Sequence, residues 1–287
     1  MILFKKAAEL ITYLQTQKND GAEIGFVPTM GALHNGHLSL INASKKTAAL
    51  TVCSIFVNPT QFNDPKDFQK YPVTIEKDIY LLEKNGADVL FLPDVYEIYA
   101  DGTKNLEHYN LGYLETILEG EFRPGHFQGV CQVMERLMNI VKPDHLFMGQ
   151  KDYQQCMVIK KLIEIKDLKI KFHTCETLRE NDGLAMSSRN TRLNDDERKK
   201  ATAIYKALSF LKENLMQKDF TEIINEAKNM LTENNFKIDY VEIADADNLE
   251  IIHHYNKGKK LVALIAAFQN ETRLIDNMIL TNEHNLK

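Results

Sequence analysis

The feature that most constrains the fold is a regular alternation of short apolar segments with longer amphipathic ones. The apolar, strand-like segments are residues 22–28, 50–59, 87–93, 144–149 and 169–175. Segments with helical periodicity lie between them, at residues 36–47, 74–86, 126–141 and 152–165. Strands that alternate with helices in this way predict a mainly parallel sheet with right-handed crossovers.

The pattern changes in the last third of the chain. Two polar helical segments, residues 194–215 and 220–234, are followed by three strand-like runs at residues 236–244, 260–268 and 272–280. Helices followed by strands are typical of a small α+β unit. We therefore expect an α/β protein with a Rossmann-like, doubly wound, mainly parallel sheet in residues 1–182, and a smaller C-terminal α+β domain in residues 183–287.

Charge and hydrophobicity narrow the function classes. The 287-residue chain carries a net charge of −5, whereas nucleic-acid-binding domains are usually basic, and it has no basic stripe with interleaved aromatic residues. A non-catalytic RNA-binding module is therefore disfavoured, and no nucleic-acid partner is expected. The longest apolar run, residues 261–268, is far too short to span a membrane.

The N-terminus and the cysteines indicate the compartment. Residues 1–15 alternate charged and apolar side chains and lack the continuous apolar region of a signal peptide. The four cysteines form no C-x-x-C pair and mostly have apolar neighbours, which is typical of buried free thiols in a reducing environment. We expect a soluble, cytoplasmic protein.

The first candidate site is the turn "PTMGALHNGH", residues 28–37, between a strand and a helix. Because the carboxyl ends of parallel strands carry the ligands of doubly wound sheets, this turn lies at the binding edge. A helix that starts near Gly36 directs free N–H groups at the turn, and phosphate is the natural ligand. Neither a P-loop nor a G-x-G-x-x-G motif is present. The pair His34 and His37 could instead bind a metal, or could be incidental residues of an exposed turn.

Three further polar segments lie near predicted strand ends. "NPTQF" supplies Asn58 and Gln61, whose amides can bond a hydroxyl or a carboxylate. "GQKDYQQ" supplies Lys151, a point charge for phosphate, and Asp152. Asp152 could bind magnesium or a ribose, or it could orient Lys151. "MSSR", residues 186–189, adds hydroxyls and a guanidinium fork. Each segment alone could be a solvated loop.

Together, these segments resemble the pantothenate synthetases, or pantoate–β-alanine ligases, a branch of the HIGH-motif nucleotidyltransferases. "HNGH" stands at the HIGH position, and "NPTQF", "GQKDYQQ" and "MSSR" follow in the expected order over residues 25–190. The last hundred residues match in architecture alone. Two positions depart from the family pattern: Gln150 replaces an acidic residue and Leu178 replaces a valine, both at positions expected to act mainly through the backbone.

The resemblance implies a two-step reaction. Pantoate is adenylated by ATP, pyrophosphate is released, and β-alanine then displaces AMP to give pantothenate. It implies Mg²⁺ held mainly through the ATP phosphates with no protein metal cage, a homodimer, and a C-terminal domain that acts as a lid. A related nucleotidyltransferase that activates another small carboxylic acid is the alternative; a phosphate-bearing acceptor would call for extra basic residues at the positions of Gln61 and Gln155.

The resemblance also implies roles for individual residues. The implied catalytic residues are His34, His37, Lys151 and Arg189. The implied ATP-binding residues are Met30, Gly31, Ala32, Leu33, His34, Asn35, Gly36, His37, Gly149, Gln150, Lys151, Asp152, Leu178, Met186, Ser187, Ser188 and Arg189. The implied pantoate-binding residues are Met30, Asn58, Gln61, Arg123 and Gln155, with Phe56 beside Met30 against the gem-dimethyl group, and Gln61 also contacts β-alanine.

Overall fold

A six-stranded sheet organises the first of two structural units. The computed structural model describes residues 1–63, 65–254 and 258–281. The strands of the sheet are β1 (Ile2–Phe4), β2 (Ile24–Thr29), β3 (Leu50–Ile55), β4 (Val89–Phe91), β5 (His145–Gly149) and β6 (Lys171–Cys175). Their spatial order is β1-β4-β3-β2-β5-β6, and the strand pairs are parallel. This confirms the predicted α/β class.

Helices connect the strands of this unit. They are α1 (Ala7–Asn19), α2 (Asn35–Thr47), α3 (Pro65–Gln69), α4 (Ile75–Lys84), α5 (Val95–Ile98), α6 (Glu119–Phe122), α7 (His126–Val141) and α8 (Tyr153–Ile165). The sequence signals at the ends of α4 are correct: Thr74 is the N-cap residue, and Gly86 follows the helix with φ +76°, a conformation that glycine adopts without strain.

The central strands are buried on both faces. All six residues of β3 are buried, as are five of the six in β2. This explains why both strands form near-continuous apolar runs in the sequence. Cys53, Cys131 and Cys156 are buried free thiols, whereas Cys175 is partly exposed. Burial raises the pKa of the Cys53 thiol to about 12, so this cysteine stays protonated and unreactive.

The strand order reverses between β2 and β5. β2 pairs with β3 on one side and with β5 on the other. The chain that follows β2 therefore continues toward one edge of the sheet, and the chain that follows β5 continues toward the other edge. The carboxyl ends of these two strands therefore flank a topological switch point, where doubly wound sheets bind their ligands.

The second unit contains an antiparallel sheet and three helices. It comprises residues 151–153 and 177–287. Its helices are α9 (Asp195–Ala201), α10 (Ala203–Asn214) and α11 (Phe220–Glu233), and its strands are β7 (Phe236–Asp245), β8 (Leu261–Gln269) and β9 (Thr272–Ile279), in the order β7-β8-β9. Apolar residues of α10 and α11 form one core with alternate residues of β8, and the residues between these in β8 are almost all buried too. The domain boundary at residues 182–183 stays a prediction.

Two details of the sequence-based prediction need correction. The first strand-like segment in the sequence is residues 22–28, but β1 precedes it at the sheet edge beside β4; three residues are too few to show a periodicity. The single helix predicted at residues 194–215 is two helices, α9 and α10, which meet at Thr202.

Two histidines face each other across β5 and β6. His145 Nδ1 lies 2.8 Å from His173 Nε2, and His145 Nε2 lies 3.4 Å from the Glu23 carboxylate. Burial, helped by the nearby His145 and Lys171, lowers the pKa of His173 from its ordinary value of 6.5. Protonation of His173 therefore opposes folding.

The first prediction concerns stability against pH. The unfolded chain binds a proton at His173 with the ordinary pKa of 6.5, whereas the folded chain binds it only at lower pH. The stabilisation is therefore complete above about pH 6.5 and lost as the pH falls through the folded-state pKa. Urea unfolding over this range should show a smaller decline for His173→Gln than for wild type. His108→Gln, at an exposed position in the same unit, should leave the decline unchanged. An identical decline in His173→Gln and wild type would contradict the assignment.

Candidate active site

The turn between β2 and α2 is held by one buried carboxylate. Asp78, in α4, is fully buried. Its Oδ2 accepts the backbone N–H of Ala32 at 2.9 Å and its Oδ1 accepts that of Leu33 at 2.8 Å. The hydroxyl of Thr74 donates to Oδ1 at 3.1 Å. This carboxylate therefore fixes the path of the backbone ahead of α2.

The same turn has an unusual backbone conformation. Gly31 has φ +80° and Ala32 has φ +49°. A Cβ atom on Gly31 would lie 3.0 Å from the Ile55 side chain and 3.1 Å from the Asp78 carboxylate, so only glycine fits without strain. A non-glycine residue at positive φ costs energy and persists when its surroundings over-determine it. At Ala32, the bond to Asp78 supplies that restraint.

His34 and His37 cap the start of α2 reciprocally. His34 Nδ1 accepts the backbone N–H of Gly36 at 3.1 Å, and His37 Nδ1 accepts the backbone N–H of His34 at 3.4 Å. The ring centroids are 4.0 Å apart. This is a capping box built from two imidazoles. Because Nδ1 accepts in both rings, each neutral ring carries its proton on Nε2.

This geometry favours hydrogen-bond donation over metal binding. Each Nδ1 is engaged with the backbone, and each Nε2–H can donate. In the part of the chain that the structure describes, no group of three or more His, Cys, Asp or Glu side chains could hold a metal ion. The helix N-terminus adds N–H groups and a partial positive charge, which suit an anion.

Asn58 is a buried residue that holds the side chain of Gln61. It is 1% exposed, and its Nδ2 donates to Gln61 Oε1 at 3.1 Å and to the carbonyl of Gly129 at 3.0 Å. Its Oδ1 accepts the hydroxyl of Tyr99 at 2.8 Å. With Oε1 held by Asn58, Gln61 presents its amide nitrogen, which lies 3.1 Å from the Met30 sulfur. The structure thus brings together Met30 and Gln61, and Asn58 orients Gln61.

A second chain of contacts fixes the Gln61 backbone. His126 Nδ1 lies 2.8 Å from the Gln61 carbonyl, and His126 Nε2 lies 3.1 Å from Arg123 Nη1. A guanidinium only donates, so Nε2 accepts and Nδ1–H donates to Gln61. The Glu119 carboxylate lies 3.6 Å from the same guanidinium nitrogen. The sequence patterns did not predict a site role for His126 or Glu119, although His126 begins α7 within the segment "GHF".

The end of β5 supplies the remaining candidates of the first unit. Gly149 ends the strand, Gln150 begins a 3₁₀ turn, and Gln155 lies in the first part of α8. A Cβ atom on Gly149 would meet no atom within 4 Å, so this position has room for a ligand. β5 neighbours β2 in the sheet, which places these residues beside the switch point.

The second unit holds the other candidates. Lys151 and Asp152 belong to it, although Gln150 before them and Gln154 shortly after them belong to the first unit. Leu178 and Met186 are joined by a backbone hydrogen bond of 3.0 Å. Ser187 caps the following 3₁₀ helix, where its hydroxyl accepts the N–H of Arg189 at 3.2 Å. Ser188 is buried beside it.

The strand order and the capped turn define the class of the chain: a Rossmann-like α/β protein with an anion-suited helix N-terminus at its switch point. Solved structures agree with this class. Pantothenate synthetase from Thermus thermophilus matches with a TM-score of 0.90 and 36% identity, over 98% of this chain and 100% of that one. A Francisella tularensis pantoate–β-alanine ligase complexed with β,γ-ATP and β-alanine matches with a TM-score of 0.82 and 37% identity, over 98% and 99%.

Sequence comparisons cover nearly the whole chain. The pantothenate synthetase of Acetivibrio thermocellus is 45% identical over 284 residues, which are 98% of this chain and 99% of the relative. That of Christiangramia forsetii is 43% identical over 284 residues, which are 98% and 100%. The family model for pantoate–β-alanine ligase matches residues 2–279. The chain belongs to the pantoate–β-alanine ligase family, and it is an enzyme.

The second prediction tests the Asp78 restraint. Asp78→Asn replaces one carboxylate oxygen with an N–H₂ donor, which faces a backbone N–H instead of accepting it. A buried donor left unsatisfied costs about 1–3 kcal/mol, and the turn that carries the two histidines should loosen. We expect reduced stability in urea and a loss of ATP-dependent activity of about tenfold or more.

Asp88→Asn is the matched control for this variant. Asp88 also accepts a backbone N–H, that of Thr51 at 2.7 Å, but at the amino ends of β3 and β4. It should lower stability and leave the activity of the folded enzyme unchanged. Equal activity of the folded Asp78→Asn and Asp88→Asn enzymes would refute the role of Asp78 in the turn.

Proposed function

We propose that this enzyme condenses pantoate with β-alanine at the expense of ATP, through a pantoyl-adenylate intermediate. The observation that carries the proposal is the pair of mutually capped histidines, His34 and His37, at the start of α2. Both rings offer an Nε2–H donor beside a helix N-terminus at the switch point of the sheet. Family membership supplies the identity of the substrates.

The first step is adenylation. A carboxylate oxygen of pantoate attacks the α-phosphorus of ATP, and the bond to the bridging oxygen of pyrophosphate breaks. Negative charge builds on the phosphate oxygens during this transfer. Donation from His34 and His37 Nε2–H groups, which are already oriented by their caps, stabilises that charge without reorganisation at the moment of reaction.

The second step is amide formation. The neutral amine of β-alanine attacks the acyl carbon of the adenylate, AMP leaves with the bonding electrons, and the amine loses a proton. No protein nucleophile takes part in either step. The enzyme therefore acts by positioning its substrates and by excluding water, since water would hydrolyse the adenylate.

The triphosphate contacts are proposed to come from four polar side chains. Lys151, Ser187, Ser188 and Arg189 bind the β- and γ-phosphates, with Arg189 as a fork for two oxygens. Residues 30–37, Gly149, Gln150, Asp152, Leu178 and Met186 complete the ATP site, with the backbone of Leu178 against adenine. Lys151 and Arg189 neutralise the pyrophosphate as it leaves. ATP enters as its magnesium complex, and the triphosphate supplies most of the ligands of the metal.

Pantoate and β-alanine are proposed to meet at Gln61. Because Asn58 holds Oε1, the amide nitrogen lies beside the Met30 sulfur, and its N–H groups suit the oxygen atoms of the acid. Gln155 and Arg123 complete the pantoate site, and Met30 and Phe56 face the gem-dimethyl group. Asn58 contributes by orienting Gln61, and Gln61 also contacts β-alanine.

Three further features are proposed for the working enzyme. It forms a homodimer, as the family resemblance implies. It acts in the cytoplasm, which agrees with its four free cysteines. Residues 183–287 form a domain that acts as a lid over the site. Within the described residues, no helix has the length and apolar character needed to cross a membrane.

Substrate-dependent product release tests the proposal. Wild-type enzyme with ATP and pantoate should release pyrophosphate and no AMP, and β-alanine should then release AMP and form the amide. Pantoate without its gem-dimethyl group should react more slowly, because it leaves the apolar wall unfilled. Pyrophosphate release that depends on a different small acid would support the alternative nucleotidyltransferase. An absence of pantoate-dependent pyrophosphate release would refute the proposal.

The third prediction separates the two roles of His37. His37→Ala removes both the cap and the Nε2–H donor. His37→Gln keeps the cap, because glutamine at this helical position completes a capping box. Both variants should lose pantoyl-adenylate formation in single-turnover kinetics, by about 100-fold for the alanine variant, the cost typical of one lost transition-state donor.

The melting temperature distinguishes the loss of the helix cap from the loss of the Nε2–H donor. His37→Gln should melt near wild type, whereas His37→Ala should melt lower because a helix cap is lost. ATP affinity should change little in either variant. Normal adenylate formation in a folded His37→Ala enzyme would exclude the donor role.

A further inference from the structure

Two adjacent polar residues are buried in β9 of the second unit. Asp276 is 4% exposed and Asn277 is 2% exposed. Adjacent side chains of a strand point to opposite faces of the sheet, so this dipeptide can reach two different segments. The site assigned above does not include either residue.

Asn277 bonds the turn that carries Lys151. Its Nδ2 donates to the Lys151 carbonyl at 2.9 Å. The hydroxyl of Tyr153 donates to the carbonyl of Ala246, just after β7, at 2.6 Å. Two bonds therefore tie the three-residue segment 151–153 to the sheet of the second unit. The segment is thus held by the second unit, although β5 precedes it and α8 begins at its last residue, Tyr153.

Asp276 clamps Arg179. Its two carboxylate oxygens accept from Arg179 Nη1 at 2.6 Å and from Nη2 at 3.1 Å. Nη2 also donates to the Asn277 carbonyl, and Nη1 to the Gly183 carbonyl, each at 3.1 Å. The guanidinium carbon lies 4.9 Å from the centre of the Tyr205 ring. Arg179 is thus held in one orientation by fork-type geometry and by stacking.

Arg179 in turn belongs to the loop that carries Met186 to Arg189. It forms an isolated antiparallel bridge with Ala185. The bonds from Met186 N to Leu178 O, at 3.0 Å, and from Glu180 N to Leu184 O, at 2.8 Å, flank this bridge. The loop therefore starts from a hairpin whose position is fixed by the clamp on Arg179.

We propose that the Asp276–Asn277 pair positions the two phosphate-binding segments of the second unit, the Lys151 turn and the 178–189 loop, at a fixed separation for ATP. The proposal rests on the proposed function, because it takes these segments as ATP contacts. Neither residue touches a substrate; both are positioning residues. The C-terminal strand then builds part of the ATP site in addition to any covering role.

The energetics favour a positioning role over a stabilising one. Burial raises the pKa of the Asp276 carboxyl, and the Arg179 guanidinium opposes that rise. Burial of an ion pair incurs a desolvation cost that its attraction roughly repays, and well-packed apolar residues often replace such a pair without loss of stability. The bidentate ion pair and the side-chain-to-backbone hydrogen bond fix the orientation of the groups that they join. A pair of apolar residues cannot do this.

The fourth prediction uses the mildest disruption, at Asn277. Asn277→Ala and Asn277→Leu each remove the donor to Lys151 without adding a charge, and the second nearly keeps the volume of the side chain. We expect both variants to raise the KM for ATP about tenfold, the effect of 1.4 kcal/mol, with a smaller change in the KM for β-alanine. Steady-state kinetics and thermal melting should be measured on the full-length enzyme.

Arg273→Met is the matched control. Arg273 lies on the same strand and pairs with Asp239 at 2.8 Å in a partly buried bridge. This variant should lower the melting temperature and leave the KM for ATP unchanged. A rise of that KM equal to the rise in the Asn277 variants would show a general effect of β9 damage and would overturn the proposal.

A double-mutant cycle with Lys151→Ala completes the test. Because Asn277 acts through the Lys151 turn, its substitution should cost much less in the Lys151→Ala background than in wild type, which is non-additivity between coupled sites. Full additivity, or a wild-type KM for ATP in folded Asn277→Ala, would refute the positioning role alone. A wild-type enzyme that releases no pyrophosphate with ATP and pantoate would instead refute the proposed function, and the positioning role with it.

Discussion

The reciprocal capping of His34 and His37 is the interaction on which the rest of the site depends. It satisfies backbone N–H groups at the start of α2 with Nδ1 atoms, and it thereby decides which ring nitrogen carries the proton. The geometry requires His34 at the helix start, with the backbone N–H of Gly36 within its reach, and it requires a backbone that arrives at the correct angle. Asp78 provides that angle from a different helix by accepting two N–H groups of the turn. The histidine cap, the Asp78 carboxylate and the strained turn before α2 therefore depend on one another.

The sequence predicted the architecture well because its strongest signals are long and periodic. β2 and β3 are buried on both faces and form apolar runs, and α7 shows one apolar face over sixteen residues. β1 has three residues and shows no period of its own. The break at Thr202 is a single residue between two helical segments, with φ −62° and ψ −18°, and composition does not encode it.

The candidate site was predictable only where function and local pattern coincide. The histidines and the strand-end amides stand next to glycine, proline and strand signals. Asp78 accepts from the backbone of Leu33, 45 positions away, and Asn277 donates to the backbone of Lys151, 126 positions away. A hydrogen bond to a backbone group does not depend on the residue type at that position, so no sequence pattern reveals it. Asn58 is a further case: its hydrogen bonds run to Gln61, Gly129 and Tyr99, which the sequence does not show, and its contact with pantoate stays a prediction.

Burial separates two classes of polar residue in this enzyme. Asp78, Asn58, Asp276 and Asn277 are all under 5% exposed, and each has its oxygen or nitrogen atoms engaged with the protein. Most of the polar side chains proposed to contact substrates are only partly buried, among them His34, His37, Gln61, Lys151 and Arg189; Ser188, at 7% exposed, is the exception. A group that exchanges its hydrogen bonds with a ligand needs access to that ligand, whereas a group that only fixes the position of another can be fully buried. The acids of the core therefore serve as acceptors for the turn and for Arg179, and the charges that meet ATP come from the partly exposed cations.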